Sequence, residues 1–276
     1  MADYATLPGG LYFGSNEGNL VQADSDMPGS FDNLISTFGG ADTIFAGLGD
    51  DLVFGADGDD FAHGQAGDDL LFGGSGRDTL LGGDGADVAS GGDGADALAG
   101  EAGDDTLLGN AGNDSLAGGG GQDVLEGADG NDTVAAGAGD DRASGGDGND
   151  LLAGNDGADW LAGERGNDGL AGGAGADTLA GGRGNDDLAG GSGGDTFTFE
   201  TGFGRDVVLD FRAGEDVLEI QSDINGTGIT DASQLASRIS SDATGSVITL
   251  GNDQIKLVGV SAEDLIGNLD AYIKIV

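Results

Sequence analysis

From Thr37 to Thr198 one apolar position returns every nine residues. These positions are Ile44, Val53, Ala62, Leu71, Leu80, Ala89, Leu98, Leu107, Leu116, Leu125, Val134, Ala143, Leu152, Leu161, Leu170, Leu179, Leu188 and Phe197, and none is polar. One apolar side chain between two outward neighbours predicts a short strand with a single buried face. Six residues rich in glycine separate successive strands. Gly holds the fourth place of every unit from Gly40 to Gly193, and the first place from Gly55 onward except at Ala136. Glycine reaches positive φ readily, so these segments can turn tightly. With two units to a turn, strands stack eighteen residues apart and form two short parallel sheets. The expected fold class is all-β, a parallel solenoid.

The polar positions keep the same period. An Asp stands sixth in every unit: Asp42, Asp51, Asp60, Asp69, Asp78, Asp87, Asp96, Asp105, Asp114, Asp123, Asp132, Asp141, Asp150, Asp159, Asp168, Asp177, Asp186 and Asp195. Stacking at eighteen residues divides them into two columns. A Gly-rich turn that ends in Asp offers carbonyl and carboxylate oxygens together, the donors that calcium takes six to eight at a time. All eighteen are candidate metal ligands.

A well-kept unit reads Gly82-Gly83-Asp84-Gly85-Ala86-Asp87-Val88-Ala89-Ser90. It resembles the RTX (repeats-in-toxin) nonapeptide, a calcium-binding repeat. The resemblance implies a right-handed parallel β-roll with Ca2+ ions between stacked turns, each taking the Asp of both. Eighteen Asp residues give sixteen such pairs, hence at most about sixteen ions. For Asp96 and Asp114 it further implies carbonyls of Gly91 and Asp93 below, and of Asn110 and Gly112 above.

Charge sharpens this expectation. The chain has 51 acidic and 9 basic residues, a formal charge of −42, which points away from nucleic acid as a partner. Stacked carboxylates about 4.8 Å apart repel by about 0.9 kcal/mol per pair even at the dielectric constant of water. Sixteen divalent ions would carry +32 against that charge. The repeats are therefore expected to be unfolded without metal at neutral pH and to fold where calcium is plentiful, outside the cell. Cys is absent, no apolar run approaches a bilayer span, and Met1–Gly10 has no secretory-signal character. RTX resemblance implies export by type I secretion machinery through an uncleaved C-terminal signal.

Three segments are expected: 1–36 as an N-terminal cap or partner segment, 37–198 as the eighteen-unit β-roll, and 199–276 as a C-terminal cap with the secretion signal. Residues 1–36 carry Tyr4, Leu11, Tyr12, Phe13 and Phe31, suited to covering a raw solenoid end. The first unit, Thr37-Phe38-Gly39-Gly40-Ala41-Asp42, lacks glycine at its first two places. In the last segment, Val207–Leu209, Val217–Ile220, Val247–Leu250 and Ile255–Val258 predict strands. Asp231–Ser241 predicts a helix, Ser261 opens a second, and Ala271–Val276 predicts a terminal strand. Phe211–Ile220 and Leu257–Leu265 resemble the capping and secretion region of exported RTX proteins.

Little else suggests chemistry. His63 is the only histidine and stands at an outward place. Without a second His or any Cys there is no zinc-protease motif, Ser-His-Asp triad or Cys-His pair. The chain reads as a non-enzyme. Phe45, Phe54, Phe61, Leu70, Phe72 and Leu81 form an apolar group on early outward positions, expected to be covered by residues 1–36 or to meet another surface. Asn113, Asn131, Asn149, Asn167 and Asn185 recur at the fifth place and suit turns. The reading is a secreted calcium-binding RTX protein, extracellular or at the cell surface. The alternative is a structural protein that self-associates in calcium, as a surface layer, filament or adhesin.

Overall fold

The computed structural model describes residues 10–23 and 32–276, in two compact units, Met1–Arg142 and Ala143–Val276. Tyr4 and Phe31 lie outside the described residues. Each unit is an all-β parallel solenoid with about eighteen residues per turn and two sheets.

In the first unit one sheet holds Leu11–Phe13, Leu34–Ser36, Leu52–Asp57, Leu70–Ser75, Val88–Asp93, Thr106–Ala111 and Val124–Asp129, in that order. The other holds Leu20–Gln22, Thr43–Leu48, Phe61–Ala66, Thr79–Asp84, Ala97–Ala102, Ser115–Gly120 and Thr133–Ala138. Register follows the repeat: Leu98 pairs with Leu80 on one side and Leu116 on the other. Every position-8 residue is at most 2% exposed. Each buried Leu in these columns contributes roughly 1.5–3 kcal/mol.

The strands are longer than the three residues expected. Leu52–Asp57 continues through the first three places of the next unit, as do its neighbours. Pairing skips one residue at the bend: Ala99 pairs with Ala117 and Glu101 with Gly119, while Gly100 is passed over. The polypeptide thus turns a corner without abandoning its ladder.

The coil begins before Thr37. Tyr12 pairs with Ile35 and Ile35 with Val53, while Val21 pairs with Ile44. Leu11–Phe13, Leu20–Gln22 and Leu34–Ser36 therefore supply strands to both sheets ahead of the first nonapeptide. Tyr12 and Ile35 on one sheet and Val21 on the other take the inward positions, although the spacing between them is irregular.

In the second unit one sheet runs Trp160–Arg165, Thr178–Ala180, Thr196–Phe199, Val217–Ile220 and Ile273–Ile275. The other runs Leu151–Asp156, Gly169–Ala174, Asp187–Ser192, Arg205–Val208, Asp253–Val258, Gly245–Leu250 and Ile239–Ser241, the last two antiparallel. The columns pass from the repeats into the C-terminal segment as Phe197–Leu218–Ile273 and Leu188–Val208–Leu257. The helix expected over Asp231–Ser241 is a 3₁₀ helix at Ala232–Arg238, opened by an Asp231/Gln234 capping box. It ends early because Ile239–Ser241 extends to pair with Gly245–Leu250, Ile239 opposite Ile248. Ser261 caps the helix Ala262–Gly267 by accepting from the Asp264 N–H at 3.0 Å.

Candidate metal centre: two columns of buried carboxylates

All eighteen ladder Asp residues are buried, at most 3% exposed. Their placement follows from the turn. The sixth place ends each Gly-rich bend, just before the apolar residue pulls the chain into the core, so its side chain enters the gap between stacked turns. Asp60 and Asp78 show the arrangement. The Asp60 N–H donates to Asp78 Oδ1 at 2.8 Å. The same bond joins Asp42 to Asp60, Asp69 to Asp87 and Asp105 to Asp123, and in the second unit Asp150 to Asp168 and Asp177 to Asp195. One carboxylate oxygen is thereby used.

In Asp60, Asp78, Asp87, Asp123 and Asp168 the other oxygen is not. Oδ2 of Asp42, Asp60, Asp69, Asp78, Asp87, Asp96, Asp105, Asp114 and Asp123 is buried without a hydrogen-bond partner, as are those of Asp168, Asp177 and Asp186. An orphaned buried carboxylate oxygen costs more than a neutral group would, because its charge is both desolvated and uncompensated. Burial accordingly pushes the Asp60, Asp78, Asp105, Asp114 and Asp123 carboxyls up to about 6 and Asp69 to about 7. The N–H from the preceding turn opposes this shift, and carboxylates one turn away add to it.

Backbone oxygens share the gap. The Ala56 and Gly58 carbonyls point forward, onto the faces of Gly74 and Gly76 where a Cβ would otherwise lie. The Gly73 carbonyl points back, and a Cβ on Gly55 would collide with both it and Asp60 Oδ2. Ser75 O also points back, accepting from the Gly58 N–H at 2.7 Å. The gap between these two turns is thus faced by oxygens of Ala56, Gly58, Gly73 and Ser75 together with the two carboxylates. Among the described residues no three acidic, imidazole or thiolate side chains group as a metal site, so any ion held here depends on the backbone carbonyls. That donor set, all hard oxygens with one anionic oxygen unsatisfied, fits calcium.

The carbonyls implied for Asp96 and Asp114 require correction. Asp93 O accepts from the Gly76 N–H and Gly91 O faces Gly73, so both point to the preceding turn. Gly112 O faces Gly130, on the far side. The gap between Asp96 and Asp114 instead receives Gly94 O from below and Ala111 O from above. Peptide planes alternate in direction along the bend, which reverses the assignment.

A second row runs outside the first and points the opposite way. Fifth-place side chains accept from the N–H one turn later: Asp50 from Asp68, Asp68 from Ala86, Asn113 from Asn131 and Asn167 from Asn185. The recurring Asn residues are rungs of this exposed ladder.

Residues beyond the nonapeptides extend both columns. At the start, Asn19 donates its backbone N–H to Asp42 Oδ1 at 2.5 Å and its Nδ2 to the same oxygen at 2.8 Å. Asn33 does likewise to Asp51 Oδ1, at 2.7 and 2.9 Å. Carboxamides thus stand one turn ahead of the first Asp of each column. At the other end, Asp206 Oδ1 accepts from the Asp186 N–H at 3.1 Å and Asp216 Oδ1 from the Asp195 N–H at 3.0 Å. Both are 1% exposed, and burial pushes the Asp206 carboxyl up to about 8. Spacings of 20 and 21 residues hid them from a period of eighteen, although Gly204-Arg205-Asp206-Val207-Val208 and Gly214-Glu215-Asp216-Val217-Leu218 keep the G-x-D-x-apolar core.

The early apolar residues are divided between two faces. Phe45 contacts Phe61 on one sheet (centroids 5.7 Å apart), whereas Phe54 stacks on Phe72 on the other (5.2 Å). Consecutive units alternate between sheets, so the group is two patches rather than one. Phe13, Leu34, Phe54 and Leu70 remain exposed on the Phe54 face. His63 lies 3.9 Å from Glu101 and edge-on to Phe45. No helix among the described residues is long and apolar enough to cross a membrane.

No curated protein matches the chain. Among solved structures it is similar to the extracellular lipase LipA from Serratia marcescens, at 26% identity over 73% of this chain, with a TM-score of 0.43. The chain spans only 40% of that lipase's length. It is also similar to a subunit of the Azotobacter vinelandii mannuronan C5-epimerase, at 28% identity over 46% of this chain and 77% of the subunit, with a TM-score of 0.20. The family model of the RTX calcium-binding nonapeptide repeat (4 copies) matches in successive stretches from 29–53 through 163–197, more than half of the sequence. The chain belongs to the RTX calcium-binding nonapeptide-repeat family.

Proposed function

We propose that this chain is a secreted RTX protein whose ladder carboxylates hold calcium between successive turns, and that it folds when calcium becomes available after export. The observation that carries the proposal is the repeated orphan oxygen. In turn after turn a buried Asp presents Oδ2 to a gap faced by carbonyls, with no donor there. Asp60, Asp78 and the carbonyls of Ala56, Gly58, Gly73 and Ser75 would hold one such ion, and the other pairs would repeat the set. Bound calcium supplies the positive charge that the buried anions lack. The protein's own contribution is position: the N–H of each Asp fixes the next carboxylate, and the glycine bends aim the carbonyls. By family resemblance, type I secretion machinery exports the unfolded chain and residues 199–276 carry the address.

Far-UV circular dichroism at neutral pH tests the folding half. A disordered spectrum in chelator that becomes β-rich cooperatively with calcium, and poorly with magnesium, is expected. Stable β structure in excess chelator would refute it. A second reading, calcium-dependent self-association, is favoured by the exposed Phe13, Leu34, Phe54 and Leu70. Light-scattering mass in millimolar calcium distinguishes the two: a monomer supports the first reading, a multimer the second.

A further inference from the structure

The two carboxylate columns end differently. In one, Asp186 and Asp206 continue the ladder, and both keep an unpartnered, buried Oδ2. In the other, the gap between Asp195 and Asp216 holds a side chain. The Arg212 guanidinium reaches in from the loop before Asp216, and its Nη2 donates to Asp195 Oδ2 at 3.2 Å, to Asp216 Oδ1 at 3.3 Å and to the Gly193 carbonyl. Those oxygens are the counterparts of Asp60 Oδ2, Asp78 Oδ1 and the Gly58 carbonyl in the gap already described: lower carboxylate, upper carboxylate and forward-pointing fourth-place carbonyl. Arg212 also ties down its own loop by an ion pair to Glu215 at 3.1 Å, and its backbone N–H donates to Asp216 Oδ2 at 2.6 Å.

We propose that Arg212 is a built-in cation that takes the place of calcium in the last gap of this column. The inference rests on the calcium-ladder reading and deepens it. A guanidinium is permanently charged and presents its donors in a fixed plane, so it can offset part of the charge of a buried carboxylate pair without metal. Its effect is to give the Asp195/Asp216 rung a compensating positive charge that does not depend on calcium. The other column has no such substitute at Asp186/Asp206.

The substitution makes a countable difference. Native mass spectrometry of the full-length protein at saturating calcium would compare the wild type with Arg212→Gln and Arg212→Lys. The Gln variant removes the charge and opens the gap, so it should hold one calcium ion more than the wild type. The Lys variant keeps a cation and should match the wild type. Equal ion counts for Arg212→Gln and the wild type would overturn the proposal. Failure of Arg212→Gln to fold even at saturating calcium would overturn it equally, since calcium would then be unable to occupy the place. A wild type that binds no calcium would instead defeat the ladder reading itself, a distinguishable failure.

Discussion

The backbone N–H of Asp96 donates a 2.8 Å hydrogen bond to Oδ1 of Asp114, one full turn further along the chain. The Asp114 N–H donates in turn to Asp132. An interior Asp therefore serves two gaps: it receives from the turn before and fixes the carboxylate of the turn after. Asp42 stands differently, because the residue one turn before it is Asn19, which supplies two neutral donors to its Oδ1.

Removing an interior rung should accordingly cost more than removing the first. Asp114→Ala strands the buried Asp96 N–H, a loss of about 1–3 kcal/mol, and takes an anionic oxygen from the gaps on both sides. Because each solenoid turn is supported by its neighbours, the calcium midpoint should rise about tenfold or more, and folding can split into two transitions. Asp42→Ala should shift it much less, since Asn19 Nδ2 keeps the Glu17 carbonyl at 2.6 Å. Calcium titrations of the two variants by circular dichroism provide the check. Equal shifts would refute the shared rung.

Glycine positions should divide sharply by place. Gly112 adopts φ 141°, and a Cβ there would overlap the Gly94 carbonyl oxygen, which is fixed backbone. Gly120, at the third place, has nothing within 4 Å of an added Cβ. Gly112→Ala should abolish folding of its turn or raise the calcium midpoint by an order of magnitude or more, whereas Gly120→Ala should stay within about 0.5 kcal/mol of the wild type. Similar effects of both substitutions in calcium-dependent thermal melts would contradict the close stacking.

How much of this was legible follows the regularity of the spacing. The inward column from Ile44 to Phe197 and the eighteen Asp places stand in the sequence because each turn repeats without insertion. Asp206 and Asp216 fell outside because two and three extra residues lengthen their turns while preserving the buried carboxylate. Asn19 and Asn33 were missed because carboxamides replace the anions and the spacing before Thr37 is irregular. The carbonyl assignment for Asp96 and Asp114 was reversed because the direction of a peptide plane depends on φ: Asn110 at 76° and Gly112 at 141° both turn left-handed, which the residue types permit without specifying. The apolar group divided because a nine-residue period alternates between faces and only the eighteen-residue period stays on one.

Protons should partly substitute for calcium. The folded carboxyls of Asp60, Asp78, Asp105, Asp114 and Asp123 lie near 6 and that of Asp69 near 7, raised by burial from the ordinary 3.8. The folded state therefore binds protons more tightly than the unfolded state. Its stability without metal is greatest below about pH 4 and is lost as pH rises through 6 to 7. Calcium-free protein should gain β structure on acidification from pH 7.5 to about 5 and lose it on return. Circular dichroism that is flat over this window without metal would contradict the assignment of the buried charges.

The C-terminal segment should act in both export and folding. Arg205–Val208 and Val217–Ile220 continue the two sheets beyond Asp187–Ser192 and Thr196–Phe199, covering Leu188 and Phe197. Deleting residues 199–276 exposes that end and should lower calcium affinity as well as stop export through a matched type I system. Unchanged calcium folding would refute the capping role, and normal secretion would refute the export role.

The central claim is that calcium occupies the gaps of the inner carboxylate columns, and anomalous diffraction from crystals of the calcium-loaded protein tests it most directly. The account predicts peaks between successive turns, each flanked by two inner Asp residues such as Asp60 and Asp78 and by carbonyls such as Gly58 and Gly73. Peaks on the outer row instead, at Asp50 and Asp68, or inner gaps without ions at saturating calcium, would contradict it.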